Sequence, residues 1–428
     1  MKLLCKIESD EIIDIQDAKI VNINDNNNFS YTFWNKIRNL KEFYSNEGID
    51  LLYLSLFVFA ADRLFLREDA KDCWSREIEL FVPVLSIDKW LEVKDLTEEM
   101  LSFLSGDKWI LHFRKRELSK QEETYNERCK KQTKEKSSFE KICMLSGGLD
   151  SFIGAINLLE SSEKSKVLFV SHYGGGKGTK EYQDILKAQF IEKYGVVEQQ
   201  FYQNYAAVIY GVEDTTRTRS FMFFSHAIAY ATAMAKDVML YIPENGLISL
   251  NIPLTHTRLG TSSTRTTHPH YMKKLQLLMN MLGISVSIYN PFQFKTKGEM
   301  IAECENINFL QNNLINTMSC SHPDVGRYKG RTKPLHCGYC LPCTIRKAAI
   351  LRGGLTDTSE YLYSNYHEIN VAKESLKVYR LALARLEPKL AFLKIQESGP
   401  IENNIIQYTD LYKHGMNELK AYLEEFNV

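Results

Sequence analysis

The chain has 428 residues, enough for two or three cores, and its 44% hydrophobic and 25% charged content is that of an ordinary globular protein. Lys+Arg and Asp+Glu both total 53, so the formal charge is zero. No overall pull toward nucleic acid follows, and nucleic acid is not expected as a direct partner. Residues 1–8 lack the apolar centre of a signal peptide, and the strongest apolar run, 51–61, stops at Asp62 and Arg63, too short to cross a bilayer. A cytoplasmic protein with no membrane segment is therefore expected.

Residues 1–113 read as an α+β segment, with strands at 18–23, 78–84 and 109–113 and helices at 34–44, 51–66 and 91–104. No string there suggests chemistry, which leaves a scaffold or a surface that holds a partner. Residues 114–141 are rich in Lys, Arg, Glu, Ser and Thr, the composition of a solvated linker or exposed helix. From 142 onward strands and helices alternate. Strands are expected at 142–145, 167–172, 238–242 and 286–289, and helices at 152–159, 182–194, 219–235 and 271–282. That order predicts a parallel sheet covered on both faces, with ligands beyond the carboxyl ends of the strands. Helices at 344–351, 374–386 and 411–426 close the chain.

The first strand of that series runs into Ser146-Gly147-Gly148-Leu149-Asp150-Ser151 and then into a helix. A glycine pair at a helix N-terminus leaves backbone N–H groups unshielded and lets an anion approach, the requirement for holding a phosphate or pyrophosphate. Asp150 adds a carboxylate able to hold Mg²⁺, and Ser151 a hydroxyl for a phosphate oxygen. An ordinary strand-to-helix turn also contains glycines, but this full string after a strand is the motif of the PP-loop ATP pyrophosphatases, which adenylate a substrate oxygen.

Four of the nine cysteines, Cys320, Cys337, Cys340 and Cys343, follow the spacing C-x16-C-x2-C-x2-C. Four thiolates with two turn-length gaps close a tetrahedron around structural Zn²⁺; an iron–sulfur cluster is the competing occupant. Clustered rather than scattered cysteines argue for a metal in a reducing compartment and against a disulfide framework.

Together, the phosphate loop and this cysteine pattern resemble the 7-cyano-7-deazaguanine synthase (QueC) family over residues 141–351. The matching pieces are the loop itself, Arg219 before an apolar helix, residues 291–299 around Lys297, the stretch 317–320, and 337–346. The resemblance implies a PP-loop domain at 142–316, a zinc segment with C-terminal helices at 317–428, and ATP with Mg²⁺ as reactants. It places Asp150, Arg219 and Lys297 in catalysis and His172 and Arg219 beside Ser146–Ser151 on ATP. His172 would stack on adenine or simply cap its strand. In that family a deazaguanine carboxylate is adenylated and ammonia displaces AMP.

The departures are specific. Residues 171–177 replace an Asp-Tyr-Gly-Gln-type string, and the base-recognition loop is replaced by Glu244, Asn245, Gly246, Asn251 and the polar run 261–268 with Arg265 and His268. These six named residues are the expected contacts to a deazaguanine-type molecule, with a Ser/Thr-rich surface loop as the other reading of 261–268. With its long leading segment the chain looks more like the QueC-like components of bacterial anti-phage operons, QatC of the Qat system among them. That likeness implies transfer to the N-terminal amine of an operon partner, a QatB-like protein, in place of ammonia. A tRNA-modifying PP-loop enzyme is the remaining alternative.

Overall fold

The computed structural model describes residues 1–426 apart from 9–10, 35, 37–39, 41, 132–138, 175–176, 216, 235–236 and 255–264. Among the described residues ten strands fall in two sheets. They are β1 (Lys2–Lys6), β2 (Ala18–Asn22), β3 (Phe29–Tyr31), β4 (Glu77–Val84), β5 (Lys108–Lys115), β6 (Lys141–Met144), β7 (Val167–Tyr173), β8 (Phe201–Val208), β9 (Val238–Tyr241) and β10 (Val286–Tyr289). The smaller sheet has the order β2-β1-β4-β5 and the larger β10-β9-β6-β7-β8-β3.

All pairs are parallel except β3 with β8. In the larger sheet Val167, Leu168, Phe169 and Val170 are all buried, the unbroken apolar run of a strand covered on both faces. Its order reverses between β6 and β9: β7 and β8 step away on one side, β9 and β10 on the other. Such a switch point leaves a crevice at the carboxyl ends, because the connecting helices leave to opposite faces. Everything that follows about the site depends on that crevice.

The leading segment read as α+β carries an all-parallel sheet of its own, and the two sheets share one core. Helix Asn46–Leu64 is buried along nearly its whole length and packs on helix Arg219–Thr232. Apolar residues from Leu3 to Val286 form a single cluster across both sheets. The crossing explains why residues 51–61 are so apolar without being a membrane span; among the described residues no helix is long and apolar enough to cross one.

Several elements differ from expectation. Residues 2–6 and 201–208 form strands that were not anticipated, β1 in the interior of its sheet. The helix expected at 91–104 is two, Ile87–Glu92 and Lys94–Ser105, interrupted at Val93. The helix expected at 34–44 falls partly outside the described residues, and those described form no α-helix there. Within 114–141 a helix spans Lys120–Lys131; Glu122 is buried there on Arg116, with Oε2 2.7 Å from Nη1. Helices Leu341–Arg352, Asn370–Ala384 and Ile405–Glu424 build a C-terminal core with Leu250 and Ile252.

Candidate functional site

The phosphate loop sits where β6 ends at the switch point. Gly147 has φ +90°, a conformation glycine adopts without strain, and it turns the chain into helix Leu149–Ser161. The cap residue, Gly148, has no side chain to close the helix end. Its N–H rests instead on Ser146 Oγ at 3.3 Å, and that of Leu149 on Ser319 Oγ at 3.3 Å. The first N–H groups of any helix lack intrahelical acceptors, so this end presents donors to an anion. The hydroxyls of Ser146 and Ser151 lie 3.0 Å apart and brace the loop. Leu149 itself is core and contributes only its backbone.

Asp150 points from the first turn of that helix into the crevice. Its Oδ1 lies 2.8 Å from Lys297 Nζ, and its Oδ2 accepts from Asn245 Nδ2 at 2.6 Å. Burial alone would raise this carboxyl, but the Lys297 ammonium and the neighbouring donors hold it below the usual carboxylate range. Glu244, at the end of β9, goes the other way: burial first, then the Asp150 charge, push it well above its ordinary value. The two carboxyls are thus pushed in opposite directions, Asp150 down by its cation and donors and Glu244 up by its burial and by the Asp150 charge. Four residues from three separate segments therefore meet at one point because β6 and β9 are neighbours.

Glu244 also lines a cavity of about 240 Å³ and is the one charged residue among the described residues that do. Asn251, Thr266 and Thr267 supply further polar groups, and Leu341, Tyr412 and Met416 apolar wall. Asn251 adopts φ +50° at the turn. Asn245 caps the short helix Gly246–Ser249 through Ile248 N at 3.0 Å, which orients its amide toward Asp150. Gly246 is a packing position, since a Cβ there would stand 2.2 Å from Gln293 O.

Arg265 and His268 do not line that cavity, although Thr266 and Thr267 between them do. Arg265 Nη1 donates to Phe103 O at 2.6 Å and its guanidinium covers the Phe103 ring at 4.5 Å. His268 caps helix Pro269–Leu282, accepting from His270 N at 3.2 Å, and also contacts Phe103. Residues 261–264 of the polar run fall outside the described residues.

On the other side of the loop, His172 is buried and stacks on Phe223, ring centroids 4.1 Å apart. Burial, then His226 and Arg219, hold it neutral, and neither ring nitrogen has a protein partner among the described residues. Arg219 lays its guanidinium over the same Phe223 ring at 4.9 Å. It has no carboxylate or carbonyl partner among the described residues, an open cation beside the carboxyl end of β7. Gln183, which nothing in the sequence marked out, ties these halves together: its Nε2 donates to Ser146 O and His172 O, both at 3.1 Å.

The four cysteines converge as the spacing predicted. Every pair of sulfurs lies within 4.8 Å, with Cys320–Cys340 and Cys337–Cys343 each at 3.9 Å. A single ion with bonds of ~2.3 Å places its ligands about 3.8 Å apart at the corners of a tetrahedron, so the set fits one zinc ion and is too tight for a multi-iron cluster. Gly338, φ +92°, forms the knuckle, where a Cβ would meet Tyr363 O at 2.0 Å. Cys340 N donates to Cys337 Sγ at 3.4 Å and Cys337 N to Cys320 Sγ at 3.2 Å, the backbone contacts a thiolate favours. The same segment grips the phosphate loop: Met318 N donates to Gly147 O at 2.8 Å, and the buried Arg346 reaches Thr317 Oγ1 at 2.8 Å.

Fold and site together define an α/β protein with a glycine-rich strand-to-helix loop at its switch point and a buttressing four-cysteine cluster. Residues 262–353 match the family described as Queuosine biosynthesis protein QueC, which supports a QueC-like, ATP-using enzyme. The matched stretch contains Lys297 and the four cysteines; the phosphate loop precedes it. No curated protein sequence matches the chain.

Proposed function

We propose that this protein adenylates the carboxylate of a deazaguanine-type molecule with ATP and transfers the acyl group to an amine, the N-terminus of an operon partner protein in anti-phage defence. The observation that carries the reading is the meeting of three parts at one crevice: the glycine loop, the Asp150–Lys297 pair, and a small cavity lined by Glu244. The cavity is smaller than the roughly 300–1,000 Å³ of drug-sized ligand sites, a volume suited to one flat bicyclic ring. Glu244, Asn251 and Thr267 offer its edge a proton donor and acceptors.

In the first step a carboxylate oxygen of the substrate attacks the α-phosphorus, and pyrophosphate leaves onto the donors of the glycine loop. Arg219 and Lys297 face the charge that builds on the phosphate oxygens, and fixed donors of this kind stabilise it without reorganising. In the second step the amine nitrogen attacks the acyl carbon, AMP departs, and the nitrogen loses a proton. Asp150 is the carboxylate that would hold Mg²⁺, which binds through one or two carboxylates plus substrate phosphates and would neutralise the polyphosphate. Zinc on the four cysteines is structural, since all four positions are filled by protein.

The test supplies ATP, Mg²⁺ and 7-carboxy-7-deazaguanine with the neighbouring operon products and follows AMP, pyrophosphate and intact protein masses. A deazaguanine-sized increment on the partner's N-terminal residue is the expected result. Free 7-cyano-7-deazaguanine formed with ammonia, without an adduct, would make it a synthase. Release of ADP and phosphate alone would sink adenylation altogether.

A further inference from the structure

We infer that the leading segment is a working part of the nucleotide site: Asp62, acting through Thr218, sets the position of Arg219. The inference rests on the reading of Arg219 as the cation that faces the phosphates. Residues 209–218 join β8 to helix Arg219–Thr232, and 212, 213, 217 and 218 are bonded to the leading segment. Val212 N and Glu213 N donate to Arg63 O at 2.8 and 3.0 Å. Arg67 N donates to Glu213 Oε2 at 2.9 Å, and Arg217 Nη1 to Ser105 O at 2.8 Å.

The last residue before the helix is held most firmly. Thr218 donates to Asp62 Oδ2 twice, from its N–H at 3.3 Å and from Oγ1 at 2.9 Å. Its hydroxyl makes no cap bond to its own helix and instead donates to that carboxylate. A negative charge at a helix N-terminus is also favourable in itself. Asp62 in turn cannot shift. It is 1% exposed, and its other oxygen is paired with the buried Arg76. Asp107 binds Arg76 at 2.7 Å and Arg67 at 2.9 Å, so two acids and two arginines balance one another inside the shared core.

Arg219 is the next residue, the first of the helix. Its guanidinium is steered on one side by the Phe223 ring and has no anion of its own. Where the helix begins therefore decides where that charge sits, and the helix begins where Asp62 holds Thr218. Neither Asp62 nor Thr218 touches the phosphate loop; they are positioning residues.

Thr218→Val removes the hydroxyl donor and leaves the ion network and the backbone intact, whereas Asp62→Asn would also break the pair with Arg76. In the full-length protein, ATP affinity by calorimetry, AMP formation and thermal melting are compared for Thr218→Val, Thr218→Ser, Arg219→Ala and the double variant Thr218→Val/Arg219→Ala. Thr218→Val should weaken ATP binding or kcat/KM roughly tenfold, with the melting temperature lowered by only the few degrees that one lost hydrogen bond costs. Thr218→Ser should restore it, and the double variant should behave as Arg219→Ala alone. Wild-type ATP use by Thr218→Val, or the same tenfold loss on top of Arg219→Ala, overturns the inference. ATP binding that follows this pattern without any AMP formed would uphold it while removing the proposed reaction. An Arg219→Ala protein that binds ATP like the wild type removes both the reading of Arg219 and this inference.

Discussion

At Asp150 a single carboxylate faces a lysine and an amide, with the Glu244 carboxyl beside it, and that company decides which substitution is informative. Asp150→Ala would strand the Lys297 ammonium in a buried place, and breaking such a pair costs about 3–5 kcal/mol. Asp150→Asn keeps the shape and the hydrogen bond with Asn245. It too leaves Lys297 without a counter-charge, so the melting temperature should fall, by less than for Asp150→Ala, while AMP formation falls about 100-fold or more, with kcat lowered more than affinity. Equal turnover by Asp150→Asn would remove this carboxylate from the mechanism. Histidines give a second prediction at this scale. Burial lowers His226 to about 4 and His268 to about 3, from an ordinary value near 6.5. Below that value the unfolded chain takes up protons that the folded chain refuses, so stability is complete above pH ~6.5 and lost as pH falls toward those values. Each histidine should cost about 2 kcal/mol at pH 5 relative to pH 7. A melting temperature that stays flat between the two would show that these rings are not held neutral.

Among the elements, the zinc segment and the glycine loop act as one unit. Met318 and Ser319, just before Cys320, are bonded to Gly147 and Leu149, and Arg346 in the helix after the knuckle holds Thr317. The protein should bind one zinc per chain. Its binding energy is part of the folding energy of that segment, so Cys337→Ser or Cys340→Ser should give insoluble or strongly destabilised protein. Chelation should weaken ATP binding as well, because the loop loses its backing. Iron in place of zinc, or a metal-free protein of full stability, would contradict this. Elements were legible in the sequence where a local pattern sufficed: Val167–Tyr173 as a run of apolar residues, helix Arg219–Thr232, the string at 146–151. They were missed where register or context decides. Residues 201–208 carry Gln203-Asn204 in the middle and no strict apolar–polar alternation, and they are fixed as β8 by pairing with β7 and β3 on either side. The break at Val93 likewise leaves no strong mark in sequence.

Across the whole molecule the two sheets stand on one core, and this changes what truncation would do. Helix Asn46–Leu64 fills the space beside helix Arg219–Thr232, and β3 completes the edge of the larger sheet. A chain beginning at residue 114 would expose that apolar face and lose the Asp62 anchor. It should be recovered as aggregate, and a soluble, ATP-binding product would show that the larger sheet folds unaided.

The sequence by itself determined the parts whose residues lie close along the chain. A phosphate loop needs six consecutive residues between a strand and a helix, and three of the four cysteines are spaced by turns; local geometry does the rest. Only the tertiary structure decided which distant residues share a charge. Glu244 meets Asp150 because β9 lies beside β6, and Asp62 meets Thr218 across 156 positions because a buried helix crosses between the sheets. It also set Arg265 and His268 against Phe103 rather than in the wall of the cavity beside Glu244. Sequence proximity had grouped them with Asn251, but a side chain goes to the partner that can satisfy it in the core, and that partner is selected by packing.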